Sequence, residues 1–225
     1  MIGRTTSRRT TPAAGFTLVE VLVAMMVMAI MAVMAWQGVD GIVRTRDATQ
    51  TRMERTLRLN TVVAQWEQDL AAVQDSAVVP QALSCDGASV RLTRRTPDGL
   101  QVVAWSLRAD GEQSAWVRWA SPAVTTTREL QDSWLRSLQL QGSEPGSIRA
   151  LTGLSAWQVY FYNAGDNGWA NCQSSGDLQA PAPPASGASG AAPRVALPKG
   201  VRIVLSFAPG SGVNGDLTRD TLIGP

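Results

Sequence analysis

Few side chains in this sequence are equipped for chemistry, and the most unusual is a carboxylate in an apolar setting. Glu20 lies within GFTLVEVLVAMMVMAIMAVMAW, Gly15 to Trp36, which is otherwise apolar almost throughout. A carboxylate in hydrocarbon costs on the order of a few kcal/mol unless it is paired. Two uses fit Glu20: a charge pair with a cation, or a capping box, Thr17-x-x-Glu20, at a helix start. The chain has no histidine, which excludes Ser-His-Asp and Cys-His catalysis and His-containing zinc sites. Ser84, Ser133 and Ser174 therefore lack a histidine base, and Lys199, the sole lysine, sits in LPKGV, read as a turn before a strand. Asp166, Asp216 and Asp220 lie in NAGDNGW and NGDLTRD. Asp/Asn loops of this kind can ligate calcium, but these lack the carboxylate density of a dedicated site and read as turns. No catalytic residue, metal or cofactor is expected. Cys85 and Cys172 have no C-x-x-C spacing. They form either one disulfide, if the region lies outside the cytoplasm, or two free thiols.

The elements around Glu20 define its setting. Residues 1–14, MIGRTTSRRTTPAA, are basic and polar with no acid. The run from Phe16 to Trp36 is about twenty residues and spans roughly 30 Å as a helix, the thickness of a bilayer core. Arg4, Arg8 and Arg9 precede it, so the positive-inside bias leaves the N-terminus in the cytoplasm and sends the rest outward. Setting those three aside leaves 17 of the 20 basic side chains against 18 acidic ones, which gives no reason to expect a nucleic-acid partner. A secretory signal peptide would have a shorter core and a small-residue cleavage site. A plain signal anchor fits the length but leaves Glu20 unused.

Gly15, Phe16, Thr17, Leu18, Val19 and Glu20, after a short basic leader and before a long apolar helix, closely resemble the type IV pilin superfamily, which includes the pseudopilins of type II secretion. The resemblance implies cleavage between Gly15 and Phe16 by prepilin peptidase, followed by N-methylation of Phe16. It also implies that Glu20 meets the terminal amine of a neighbouring subunit during filament assembly. Such a pair offsets two desolvation costs and fixes helix register, serving specificity more than stability.

Beyond the membrane, apolar residues recur at Val39, Ile42, Val43, Met53, Leu57, Val62, Val63, Trp66, Leu70 and Val73, mostly three or four apart, as on one helix face. Gly38 and Gly41 are points where the helix could bend. A helix from Phe16 to about Val73 would be roughly 85 Å long. Its outer half is expected to dock on a sheet of the same chain, because TRDATQTR breaks the heptad of a free coiled coil.

SVRLTRRT, LQVVAWSLR and AWVRWAS, separated by Asp-Gly turns, read as an antiparallel meander, with further strands at LSAWQVYFYNA and GVRIVLSFA. DSWLRSLQLQ reads as either a short helix or a strand, and the tail GSGVNGDLTRDTLIGP as irregular. The segment LQAPAPPASGASGAAPRVA cannot order itself by burial and is expected to be a mobile loop. The expected fold class is α+β, a long N-terminal helix packed on an antiparallel β-rich head. The divisions are a cleaved leader at 1–15, a transmembrane helix at 16–37, the periplasmic half of the helix at 38–75 and a periplasmic head at 76–225, with the loop at about 178–196.

Within the superfamily, AWQGVDGIVRTRDATQTRMERTLRLNTVVAQWEQDL, WQVYFYNAGDNGWANCQSS and LPKGVRIVLSF are similar to the J-type minor pseudopilins of type II secretion. Two features depart from that pattern. Asn171 and Cys172 stand where a second tryptophan is expected after Trp169, and the Pro/Ala-rich insertion separates the last strands. A minor pilin of a type IV pilus is the alternative. The J-type resemblance implies an inner-membrane, single-pass protein at the pseudopilus tip, with minor pseudopilins of types I, K and H, the major pseudopilin, prepilin peptidase and membrane lipid as partners. A different class of function, sugar or surface binding, would use Trp105, Trp116, Trp119, Trp134, Trp157 and Trp169 as stacking surfaces, although most read as core. By strand alternation Trp116 and Trp119 take opposite faces.

Overall fold

The computed structural model describes residues 15–163, 168–173 and 196–223. Residues 1–14, Asp166, Ser174 and the expected loop at 178–195 lie outside them. The chain divides into two compact units, Met1–Met53 and Glu54–Pro225. Helix α1, Leu18–Ala71, contributes its first part to one and its last part to the other.

In the first unit the helix has no glycine-induced break at Gly38 or Gly41. All its described side chains are exposed except Asp40, which is half-buried. It is long and apolar enough to cross a membrane. Past the apolar run, Thr45, Thr49 and Thr51 donate their hydroxyls to the carbonyls of Gly41, Thr45 and Asp47 four residues back, at 2.8–2.9 Å. Arg44 pairs with Asp40 one turn earlier.

The second unit contains one antiparallel sheet of eight strands among the described residues. They are β1 Leu83–Cys85, β2 Ser89–Thr96, β3 Gly99–Asp110, β4 Gln113–Ala120, β5 Ser147–Asn163, β6 Gly168–Asn171, β7 Gly200–Phe207 and β8 Asp216–Leu222, with helix α2, Thr127–Ser137, between β4 and β5. The order is β1-β2-β3-β4-β5-β7-β8, and β6 adds to β5. The 17-residue β5 is the seam. Its first half, Ser147–Leu154, pairs with β4, and its second half pairs with β7 through Leu154–Tyr162. A register shift at Leu154/Ala156 marks the change of partner.

The last turns of α1 present Val62, Trp66 and Leu70 to one face of the sheet, a spacing of four that keeps them on one helix side. Against them pack Val90, Leu92, Val103, Trp105 and Trp116 of the first meander and Val159, Phe161, Ile203 and Leu205 of the second. Trp105 and Trp116 have ring centroids 4.3 Å apart, and Trp66 lies 5.6 and 5.4 Å from them. The opposite face of the meander carries Val102, Ala104 and Trp119, which are covered by Leu130 and Trp134 of α2. Trp116 and Trp119 thus do lie on opposite faces, and both faces are dry.

The structure decides one open reading and corrects two. DSWLRSLQLQ, which reads as either helix or strand, contributes to helix α2, because Thr126 and Glu129 make a capping box. The Thr126 hydroxyl accepts from Glu129 N–H at 3.4 Å and donates to its carboxylate at 2.6 Å. The tail is not irregular: residues 216–222 form β8, held in register by β7. The helix stops at Ala71, where the chain anneals to β2 instead of continuing to Val73. Gln74 N–H donates to Thr93 O, and Arg95 N–H to Ala72 O, each at 2.9 Å.

Candidate functional site

The N-terminal motif forms the start of α1. Thr17 is the last residue before the helix, and its carbonyl accepts from Glu20 and Val21 N–H at 3.1 and 3.3 Å. Its hydroxyl also accepts from Glu20 N–H at 3.4 Å. Capping at this end thus uses the backbone of Glu20. Among the described residues no cation meets the Glu20 carboxylate, which stands exposed on an apolar helix. Phe16 is 83% exposed, two residues ahead of the helix. Gly15 is exposed as well, and nothing lies within 4 Å of where a Cβ on it would project.

A second carboxylate on the same helix has the opposite environment. Asp69 of α1 is fully buried, yet every lone-pair direction is engaged. Trp105 Nε1 donates to it at 2.8 Å, Arg118 Nε and Nη2 at 2.7 and 2.9 Å, Gln65 Nε2 at 3.1 Å, and Arg94 completes the set. Buried charge is tolerated only with such pairing. Asp69 locks α1 onto β2, β3 and β4 at a single register, and its partners stand 4, 25, 36 and 49 residues away in sequence. Only the Gln65 contact falls within helical spacing.

The other candidates are dispersed. Ser84 lies on β1 and Ser133 is buried against the sheet on α2. Lys199 precedes β7, where its backbone N–H donates to Tyr162 O and its carbonyl accepts from Ile223 N–H, each at 2.9 Å. Asp216 begins β8. Asp220 accepts both Arg202 Nε and Nη2 at 2.6 Å, and these bonds hold its carboxyl below the usual range despite a small opposing effect of burial. Arg202 in turn lies over the Trp169 ring, 4.3 Å from its centroid. Among the described residues no group of three potential metal ligands converges. Of the six tryptophans named as stacking surfaces, five are buried and Trp169 is half-buried.

Cys85 and Cys172 are disulfide-bonded, with Cα atoms 5.8 Å apart. The bond joins the end of β1 to the residue after β6 and closes the two meanders over the shared core. Gln173 beside it donates to Asp86 O at 3.0 Å. Its side chain occupies the space where a Cβ on Gly87 would project, and Gly87 has φ +82°. The positive φ favours glycine there, and any larger residue would also displace the Gln173 amide.

Residues 11–36 match the family described as the Prokaryotic N-terminal methylation motif. No curated protein matches the chain. The chain therefore carries the N-methylation motif of prepilin-type leaders, which implies processing by prepilin peptidase and assembly with other pilins; together with the one long apolar helix among the described residues this fits a single-pass membrane anchor.

Proposed function

We propose that this chain is a minor pseudopilin of the J type in a type II secretion system. It acts in the pseudopilus tip complex and primes assembly of the filament that exports folded proteins. The observation that carries the reading is Glu20: a carboxylate on an exposed apolar helix, without a cation partner among the described residues, five residues from the expected cut. Cleavage after Gly15 creates a charged amine on Phe16, later methylated, at the same membrane depth. The Glu20 of one subunit and the Phe16 amine of the next then offset each other's desolvation and set the axial register. The α+β head and the Cys85–Cys172 bond support export, since disulfides persist in oxidising compartments such as the periplasm. The head is then periplasmic and the leader cytoplasmic.

The test has two arms. Mass spectrometry of the purified chain should find Phe16, N-methylated, as the first residue, and any other mature terminus removes the amine from its place. Glu20→Ala should still insert in the membrane but lose co-purification with the other pilin-like subunits; wild-type recovery of the complex would sink the pairing role. Deleting the gene should block secretion of folded proteins, whereas loss of surface pili with secretion intact would favour the minor pilin of a type IV pilus.

A further inference from the structure

A cleft of about 450 Å³ lies between α1 and the first half of β5. Its walls include Arg58 and Gln65 of α1, Trp105 and Arg118 on its floor, and Ile148 and Arg149 of β5. Three arginines line it and no acid does. Arg118 is taken up by Asp69, which must also serve Arg94, and Arg149 pairs with Asp110 at 3.1 Å. Arg58 donates only to backbone, reaching Ala150 O and Arg149 O at 3.1 Å, and among the described residues no carboxylate pairs with it. The cleft therefore holds uncompensated positive charge beside apolar surface. Ile148, at its rim, is 60% exposed.

A second, independent observation concerns the backbone. From Ser147 to Thr152, β4 holds one edge of β5. Pairing with β7 begins only at Leu154, so among the described residues no strand covers the other edge of this stretch. Arg58 takes the carbonyls of Arg149 and Ala150, and the rest of this uncovered edge is open to the backbone of an extended chain.

We propose that this cleft binds an extended acidic peptide segment, in which carboxylates alternate with apolar side chains. The carboxylates meet Arg58 and Arg149, the apolar side chains lie on Ile148 and the Trp105 edge, and the backbone runs along the open edge of β5. Assigning that segment to a neighbouring subunit rests on the assembly role proposed above; the binding chemistry does not. The open strand edge favours a peptide over an anionic lipid headgroup, which has no backbone to pair.

The experiment titrates the full chain in detergent micelles against a fluorescein-labelled peptide, Gly-Glu-Leu-Glu-Leu-Gly, and its glutamine counterpart. The acidic peptide should bind about tenfold more tightly, and the preference should weaken with salt. Ile148→Glu should abolish it, while Ile148→Gln and the distant Arg136→Glu keep it. Arg58→Gln, which retains a donor for the β5 carbonyls, should also weaken it and gives a second variant if Ile148→Glu fails to fold. Equal binding of both peptides, a preference that survives Ile148→Glu and Arg58→Gln, or displacement of the acidic peptide by phosphatidylglycerol vesicles would each overturn the proposal. None of these results depends on the Phe16 terminus or on Glu20, so failure here is separable from failure of the assembly reading.

Discussion

Glu20 and Asp69 sit on the same helix, both carboxylates in apolar company, and the protein treats them in opposite ways. Asp69 finds two guanidinium groups, an indole N–H and an amide within its own chain. Glu20 finds no cation among the described residues. The same contrast holds for the surrounding apolar surface. Leu22, Met26, Ile30 and Val33 stand exposed in the first unit, whereas Val62, Trp66 and Leu70 are buried in the second. Where a carboxylate is satisfied internally it fixes the fold, and where it is left open it is available for the assembly role proposed above.

The largest effect should come from breaking the internal case. Asp69→Ala leaves Arg94 and Arg118 without their counter-ion in the core and should destabilise the head by about 3–5 kcal/mol, measured by urea unfolding with tryptophan fluorescence. Little loss would mean that water, not Asp69, satisfies those arginines. Next comes the staple across the two meanders. Cys85→Ser with Cys172→Ser opens a loop of 87 residues and should cost roughly 2–4 kcal/mol, read as a lower melting temperature insensitive to reductant. Thr126→Ala removes the α2 cap and should cost about 1 kcal/mol, with Thr126→Ser restoring most of it.

A smaller effect follows pH. Burial raises the Asp86 carboxyl, but the Arg91 guanidinium and the Ser89 N–H and hydroxyl outweigh it and hold the group below its ordinary value. A depressed folded-state value means that this stabilisation is full above the ordinary aspartate range. It is lost as pH falls through that range towards the folded value. Asp86→Asn should flatten that acidic limb, and an unchanged limb would assign it to other carboxylates. The smallest effect sharpens the comparison from the other side: Glu20→Gln should change head stability by less than about 0.5 kcal/mol. A larger loss would place Glu20 in the fold after all.

Much of the architecture was legible because it is written in periodicity. SVRLTRRT, the β2 strand, and GVRIVLSF of β7 alternate, β3 and β4 read as apolar runs because both their faces are covered, and α1 shows its threes and fours. What escaped was set by context. β8 is polar nearly throughout because it is an edge strand with little burial, so its order comes from backbone pairing with β7, which side-chain alternation does not record. The first half of β5 was missed for a related reason: Arg149, Thr152 and Gly153 break its hydrophobic alternation, while β4 supplies its pairing. For α2 the signal lies in Thr126-x-x-Glu129, whereas the alternating residues that follow Ser137 fit a strand as well as a helix. The N-terminal methylation motif was plain from GFTLVE, since it is read locally. Asp69 was opaque because three of its four partners are brought to it only by folding.

The shared strand β5 also has a consequence for how the head is made. A ribosome or translocon delivers β1 to β4 first, and these four can zip together as they emerge. Trp66 of α1, delivered earlier still, covers Trp105 and Trp116 in part, and Trp157 of β5 completes the Trp116 contact only later. Until Trp157 to Phe161 are delivered, the half-built head displays an aromatic surface to any chaperone within reach. A nascent chain stalled between α2 and β5 would be the form most prone to stick to its neighbours.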